Sequence, residues 1–124
     1  MNKTEHRVAV LADDLIWSSR LVAAVERSAA RALPSRTGGE LERLLEQEDR
    51  PSAVVIDLNG RTYDGVEQVR RASASGAPVL AVGQHEDIGL RKRALSAGAR
   101  RVYSYNKLFR DGPQVIADLL AGRL

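Results

Sequence analysis

Short β-prone runs alternate with stretches of helical periodicity five times along this chain. That alternation constrains its fold more than any other feature. Arg7-Val8-Ala9-Val10-Leu11 is the first run, and apolar residues at Leu15, Leu21, Val22 and Val25 follow at helical spacing up to Arg31. A weaker run near Arg31 to Leu33 is stopped by Pro34, and Thr37-Gly38-Gly39 forms a loop before a helix over Glu40 to Asp49. Ala53-Val54-Val55-Ile56 is continuously apolar, as a strand covered on both faces must be. A loop from Leu58 to Gly65 then precedes a helix over Val66 to Ser75. Pro78-Val79-Leu80-Ala81-Val82 is a further buried strand, ending at Gly83, and Asp87 to Ala97 is helical, with Gly98 as its stop. Arg101 to Tyr105 is the fifth strand, and Asp111 to Ala121 the last helix, with Pro113 in its first turn. The expected architecture is α/β: a doubly wound, five-stranded parallel sheet between two helical layers, forming one domain over residues 1–124.

Composition narrows the functional classes. A chain of 124 residues with 44% hydrophobic and 28% charged residues can bury a core of its own. It has no cysteine, so disulfides and thiolate metal sites are excluded. No apolar run approaches the length of a membrane span, and the polar start Met1 to Arg7 is not a signal peptide, so no membrane association and a cytoplasmic location are expected. The net charge is +3, with basic clusters at Arg70-Arg71, Arg91-Lys92-Arg93 and Arg100-Arg101. These fall on helix faces and turns where charge is usually solvated. With one Phe and one Trp there is no stacking platform for single strands, so nucleic-acid binding by this chain alone is not expected.

In doubly wound sheets, sites form at the carboxyl ends of the strands. Here Asp13 and Asp14 follow the first strand and Asp57 ends the third. Converging carboxylates repel one another and call for compensation, which a hard cation such as Mg²⁺ supplies through oxygen ligands. A carboxylate beside such an ion is also a workable nucleophile toward phosphorus. Asp13 and Asp14 have a plainer use as helix caps, and Asn59, Asp64 and Gly65 as turn residues; for Asp64 the turn role is preferred.

With these residues in view, the chain resembles the response-regulator receiver family (CheY-like, with a flavodoxin-like (βα)5 fold) over nearly its whole length. Val8-Ala9-Val10-Leu11-Ala12-Asp13-Asp14 is similar to that family's first strand and acidic pair, and Val54-Val55-Ile56-Asp57-Leu58-Asn59 to its phosphoacceptor strand. Asp64-Gly65, Ala77-Pro78-Val79-Leu80-Ala81-Val82 and Ala97-Gly98-Ala99 match its later landmarks in order. The resemblance implies a role in two-component phosphorelay signalling. Asp57 would be the phosphoacceptor. Asp13, Asp14, Asp57 and the backbone carbonyl of Asn59 would hold Mg²⁺, with no organic cofactor and no enzymatic turnover beyond self-catalysed phosphoryl transfer.

The same resemblance exposes departures. The family's hydroxyl residue at the end of the fourth strand is replaced by Gly83, followed by Gln84 and His85. The family's lysine after the fifth strand falls, without gaps, on Tyr105; Lys107 regains that place only through a bulge. Arg61 replaces a loop proline and could bring a guanidinium to the acids. Trp17 either stands exposed beside the pocket or packs between helices. Tyr103 and Tyr105 are expected as packing or interface residues. With Arg91, Arg93 and Arg101 they mark the face of the fourth helix, fifth strand and fifth helix, where the family meets an effector or forms homodimers. The implied upstream partner is a histidine kinase or phosphotransfer protein. No output domain is expected within this chain. Two readings stay open: an atypical working phosphoacceptor, and a pseudo-receiver that acts as a phosphorylation-independent interaction module. A flavodoxin-like cofactor binder is remoter, because Asp13-Asp14 would repel a phosphate. A P-loop is absent, since Gly38-Gly39 lacks the following Lys-Ser/Thr.

Overall fold

The structure, a computed structural model, describes residues 5–124. The first four residues of the polar start lie outside the described residues. Strands and helices alternate as β1 (Arg7–Leu11), α1 (Leu15–Arg27), β2 (Arg31–Ser35), α2 (Gly38–Glu46), β3 (Ala53–Asp57), α3 (Gly65–Ala74), β4 (Val79–Gly83), α4 (Ile88–Ala97), β5 (Arg101–Ser104) and α5 (Tyr105–Leu120). All strand pairs are parallel, in the order β2-β1-β3-β4-β5. This is the doubly wound sheet expected from the alternation. The order reverses at β1, so a crevice opens beyond the carboxyl ends of β1 and β3.

The strand pleat explains the two cores. Val8 and Val10 of β1, Val55 of β3 and Leu80 and Val82 of β4 point to one face, where they meet Leu21 and Val25 of α1 and Leu108, Val115, Ile116 and Leu119 of α5. The alternate residues Ala9, Leu11, Val54, Ile56, Val79 and Ala81 point to the other face, against Leu41 of α2, Val69 and Ala72 of α3, and Ala94 of α4. Both faces of β3 and β4 are therefore dry, which is why these strands read as unbroken apolar runs. Each large aliphatic so buried stabilises the fold by about 1.5–3 kcal/mol relative to exposure.

Every helix opens on a polar side chain that accepts the backbone N–H three residues on. Asp14, Thr37, Asp64, Asp87 and Ser104 receive Trp17, Glu40, Glu67, Leu90 and Lys107 respectively. Each such cap typically contributes about 1 kcal/mol.

Several boundaries differ from the sequence expectation. Helix α1 stops at Arg27 rather than Arg31, because the chain turns at Ser28-Ala29 with Ala29 in the left-handed region at φ 71°. Helix α2 begins earlier, at Gly38, because Thr37 caps it, and ends at Glu46. Strand β2 continues through Pro34 to Ser35. It is an edge strand: Arg31 donates its N–H to His6 and the Ser35 carbonyl accepts from Ala12, so the intervening Pro34 faces away from β1. Strand β5 ends at Ser104, and a helical turn begins at Tyr105, six residues before the expected start of α5; Asp111 (φ −122°) kinks that helix, leaving Pro113 in the first turn after the kink.

Ala29 holds a backbone conformation that costs a β-carbon-bearing residue about 1–2 kcal/mol. Ala29→Gly is expected to raise unfolding free energy by about 1 kcal/mol, read as a higher urea midpoint at unchanged slope.

Candidate functional site

Asp57 ends β3 at the floor of the crevice and is 2% exposed. Its Oδ1 accepts the N–H of Asn59 at 3.1 Å and a short hydrogen bond from the hydroxyl of Tyr105. The Tyr105 hydroxyl also lies 3.1 Å from Oδ1 of Asn59. A phenol has one proton, so it cannot donate to both oxygens at once. Both contacts are satisfied when Asp57 itself carries a proton, or when the Asn59 amide turns its NH₂ toward Tyr105. Burial pushes the Asp57 carboxyl above its ordinary range, and nearby Asp13 and Asp14 add to the rise, against the opposing bonds from Tyr105 and Asn59. Burial likewise raises the phenols of Tyr105 and Tyr63, so both stay protonated donors. The Tyr63 hydroxyl donates to the Asp57 carbonyl at 2.7 Å. Its ring fills the space beside Gly60, where a β-carbon would fall 2.1 Å from it.

The other two acids are committed locally. Oδ2 of Asp13 accepts the N–H groups of Arg61 and Thr62, each at 2.8 Å, and the Thr62 hydroxyl at 2.9 Å. It pins the loop after β3 onto the end of β1. Burial pulls its carboxyl upward, but those three bonds outweigh burial and hold it below the ordinary range. Oδ1 of Asp14 caps α1 through the N–H of Trp17 at 2.9 Å. Asp64 caps α3, the turn-type role preferred from sequence.

Asp13, Asp14, Asp57 and Asn59 all line one cleft, together with Arg61, Gln84 and Tyr105. Yet among the described residues no three carboxylates or imidazoles are grouped closely enough to hold a metal ion. Each acid already gives an oxygen to a protein donor. Asp14 and Asp57 each keep a second oxygen that takes no hydrogen bond among the described residues, so the set still has oxygens to offer a divalent cation such as Mg²⁺, while the contacts of Asn59 in the cleft run through its side chain and N–H.

Two sequence expectations are corrected. Lys107 does not return to the pocket through a bulge. The chain turns helical at Tyr105, and Lys107 instead pairs with Asp111 at 3.2 Å and lies over the Tyr103 ring. Arg61 reaches Asp13 with its backbone N–H; among the described residues its guanidinium forms no ion pair. Tyr105 takes the packing alternative of its expectation: its ring turns into the cleft and stacks on Trp17, centroids 4.3 Å apart. Gly83 is buried at the end of β4, and a β-carbon there would lie 3.4 Å from Oδ1 of Asn59. Gln84 and His85 are exposed beyond it. Arg91 and Arg101 are exposed and Tyr103 is half-buried, whereas the exposed Arg93 departs from the expected face and lines a groove between α3 and α4 with Glu67 and Arg70. Sequence reasoning assigned no role to Thr62 or Tyr63. The ungapped count that put Tyr105 at the lysine position was the signal that could have found the Tyr105 contact.

The charge of Asp57 opposes folding. Its folded-state carboxyl is raised, so its contribution is fully present below the unfolded value near 3.8 and is lost as pH rises through the folded value. Asp57→Asn keeps an acceptor for Tyr105 without the charge. It is expected to stabilise the protein at pH 7 by about 1 kcal/mol or more, with the gain shrinking toward zero below about pH 4, measured by urea unfolding across pH. Asp13 has the opposite sign: its stabilisation is present at neutral pH and is lost as acid titrates it through its lowered value. Asp13→Asn is expected to cost about 1–3 kcal/mol at pH 7 in the same measurement.

Comparison with known proteins returned no matching family model and no matching curated sequence. Solved structures do match. A response regulator receiver domain protein (CheY-like) from Methanospirillum hungatei superposes with a TM-score of 0.83 at 19% identity, covering 97% of each chain. The receiver domain of Francisella response regulator 1452 gives a TM-score of 0.80 at 16% identity, over 97% of this chain and 100% of that one. A Burkholderia pseudomallei response regulator with a phosphorylated aspartic acid, calcium ion and citrate gives 0.74 at 15%, over 97% of this chain and 76% of that one. A doubly wound sheet in the order β2-β1-β3-β4-β5, with an aspartate ending β3, therefore makes this chain a protein with the CheY-like receiver fold.

Proposed function

We propose that this chain is a receiver-type signalling module of the two-component kind that works through protein contacts, with Asp57 held by Tyr105 instead of being phosphorylated. One observation carries the reading: the Tyr105 hydroxyl is bonded to Oδ1 of Asp57, one of the two carboxylate oxygens that metal binding and phosphoryl transfer together would use. The surrounding groups support it. Asp13 and Asp14 are spent on a loop and a helix cap, Lys107 is turned to Asp111, and Gly83 offers no hydroxyl. Such a module has no catalytic turnover of its own. Its partners are other signalling proteins, and the α4–β5–α5 side, with exposed Arg91 and Arg101, is a surface for an effector. No helix among the described residues is long and apolar enough to cross a membrane.

A second reading keeps Asp57 as phosphoacceptor with Mg²⁺. It is favoured by the Asp57 carboxyl itself: both of its hydrogen bonds fall on Oδ1, while Oδ2 takes none among the described residues and the residue lines the cleft. The phosphorylated Burkholderia pseudomallei relative has the same fold. Beryllofluoride with Mg²⁺, followed by amide NMR, separates the two. The lead reading expects no change in the Asp57, Asp14 and Gly83 signals at millimolar Mg²⁺. Saturable shifts at those residues, lost in Asp57→Asn, would overturn it in favour of phosphorylation.

A further inference from the structure

An unbroken series of side-chain contacts leads from the buried carboxyl to solvent. Asp57 is bonded to Tyr105, and the Tyr105 ring stacks on Trp17 at 4.3 Å with planes tilted by 36°. The Arg20 guanidinium lies 5.1 Å from the Trp17 ring centroid and 4.8 Å from that of Phe109. Phe109 is 64% exposed. The spacing along the helices makes this arrangement: Trp17 and Arg20 are one turn apart on α1, Tyr105 and Phe109 one turn apart on α5, and the two helices pack against each other. Four side chains thus interleave across the α1–α5 seam in the order Tyr105, Trp17, Arg20, Phe109.

We infer that this series is the route by which the state of Asp57 reaches the surface, so that the α1–α5 seam, rather than α4, displays the state of the pocket. The inference rests on the Tyr105 contact and not on whether Asp57 takes a phosphoryl group. Any group that claims Oδ1 of Asp57 must expel the Tyr105 hydroxyl. With its anchor gone, the ring is free to leave Trp17. Trp17 then shifts against Arg20, and Arg20 is no longer clamped between two rings. The alternative route is poorly furnished. At the end of β4, Gly83 has no side chain to move, and Gln84 and His85 stand exposed. Lys107 is engaged by Asp111 and Tyr103, away from the carboxyl. Coupling of this kind is reciprocal, so a change made at the outer end must be felt at the inner one.

Two substitutions test both directions in the intact protein by amide NMR, with Trp17, the only tryptophan, as a fluorescent reporter. Tyr105→Phe removes only the hydroxyl. It is expected to shift the Trp17 indole and the Arg20 and Phe109 amide signals and to change Trp17 emission, leaving Leu95 and Arg101 in place. Phe109→Ala truncates an exposed side chain, so folding is preserved. It is expected to shift the amide of Asn59, which donates to Asp57. If the Tyr105→Phe shifts stop at Asp57, Asn59 and Trp17, or spread to α4 instead, the route is wrong. An Asn59 signal unmoved by Phe109→Ala also overturns it. No phosphoryl analogue is used, so this result is independent of the beryllofluoride outcome.

Discussion

A carboxyl group buried at the end of a central parallel strand must be provided with donors, neutralised, or both, because an ionised carboxylate withdrawn from water without partners costs several kcal/mol. Asp57 meets that constraint through Tyr105, Asn59 and a raised proton affinity. Much of the crevice is organised around this solution. The Asn59 side chain turns toward Tyr105. Tyr63 folds over Gly60 to bond the Asp57 carbonyl, and Asp13 ties down the loop that carries them. The first residue of α5 becomes part of the pocket because Ser104 starts the helix at that point. Had β5 run one residue further, Tyr105 would have followed the strand pleat, and the carboxyl would have needed a different partner.

The sheet was legible in the sequence because its cause is local. Val54, Val55 and Ile56 are apolar without interruption because helices cover both faces of β3, and a reader sees that directly. The positions of Asp13, Asp14 and Asp57 followed from strand ends. The cap role of Asp14 was legible too, since its partner Trp17 is three residues on; what Asp57 and Asp13 do was not, since it depends on partners 48 and 49 residues away: Tyr105 for Asp57, Arg61 and Thr62 for Asp13. The start of α5 was missed because Asn106 and Lys107 carry no periodic apolar signal. The helical turn there is fixed by the Ser104 cap and by the burial of Leu108, and both are tertiary facts.

The capping aspartates show how one residue type answers two demands. Asp14, Asp64 and Asp87 each hold the first turn of a helix at the carboxyl edge of the sheet, where a doubly wound fold places its helix starts. An acid at such a position does not by itself signal a metal site. Asp57 differs because it caps nothing. It is nearly inaccessible, and its hydrogen bonds come from side and main chains assembled from two strands' ends.

Pro34 has a consequence for assembly. On an edge strand with alternate residues facing β1, it removes an amide hydrogen from the outward side of β2, so a foreign strand laid there would lack a donor at mid-register. The opposite edge, β5, is four residues long and begins at an exposed arginine, Arg101. Both margins of the sheet resist strand addition.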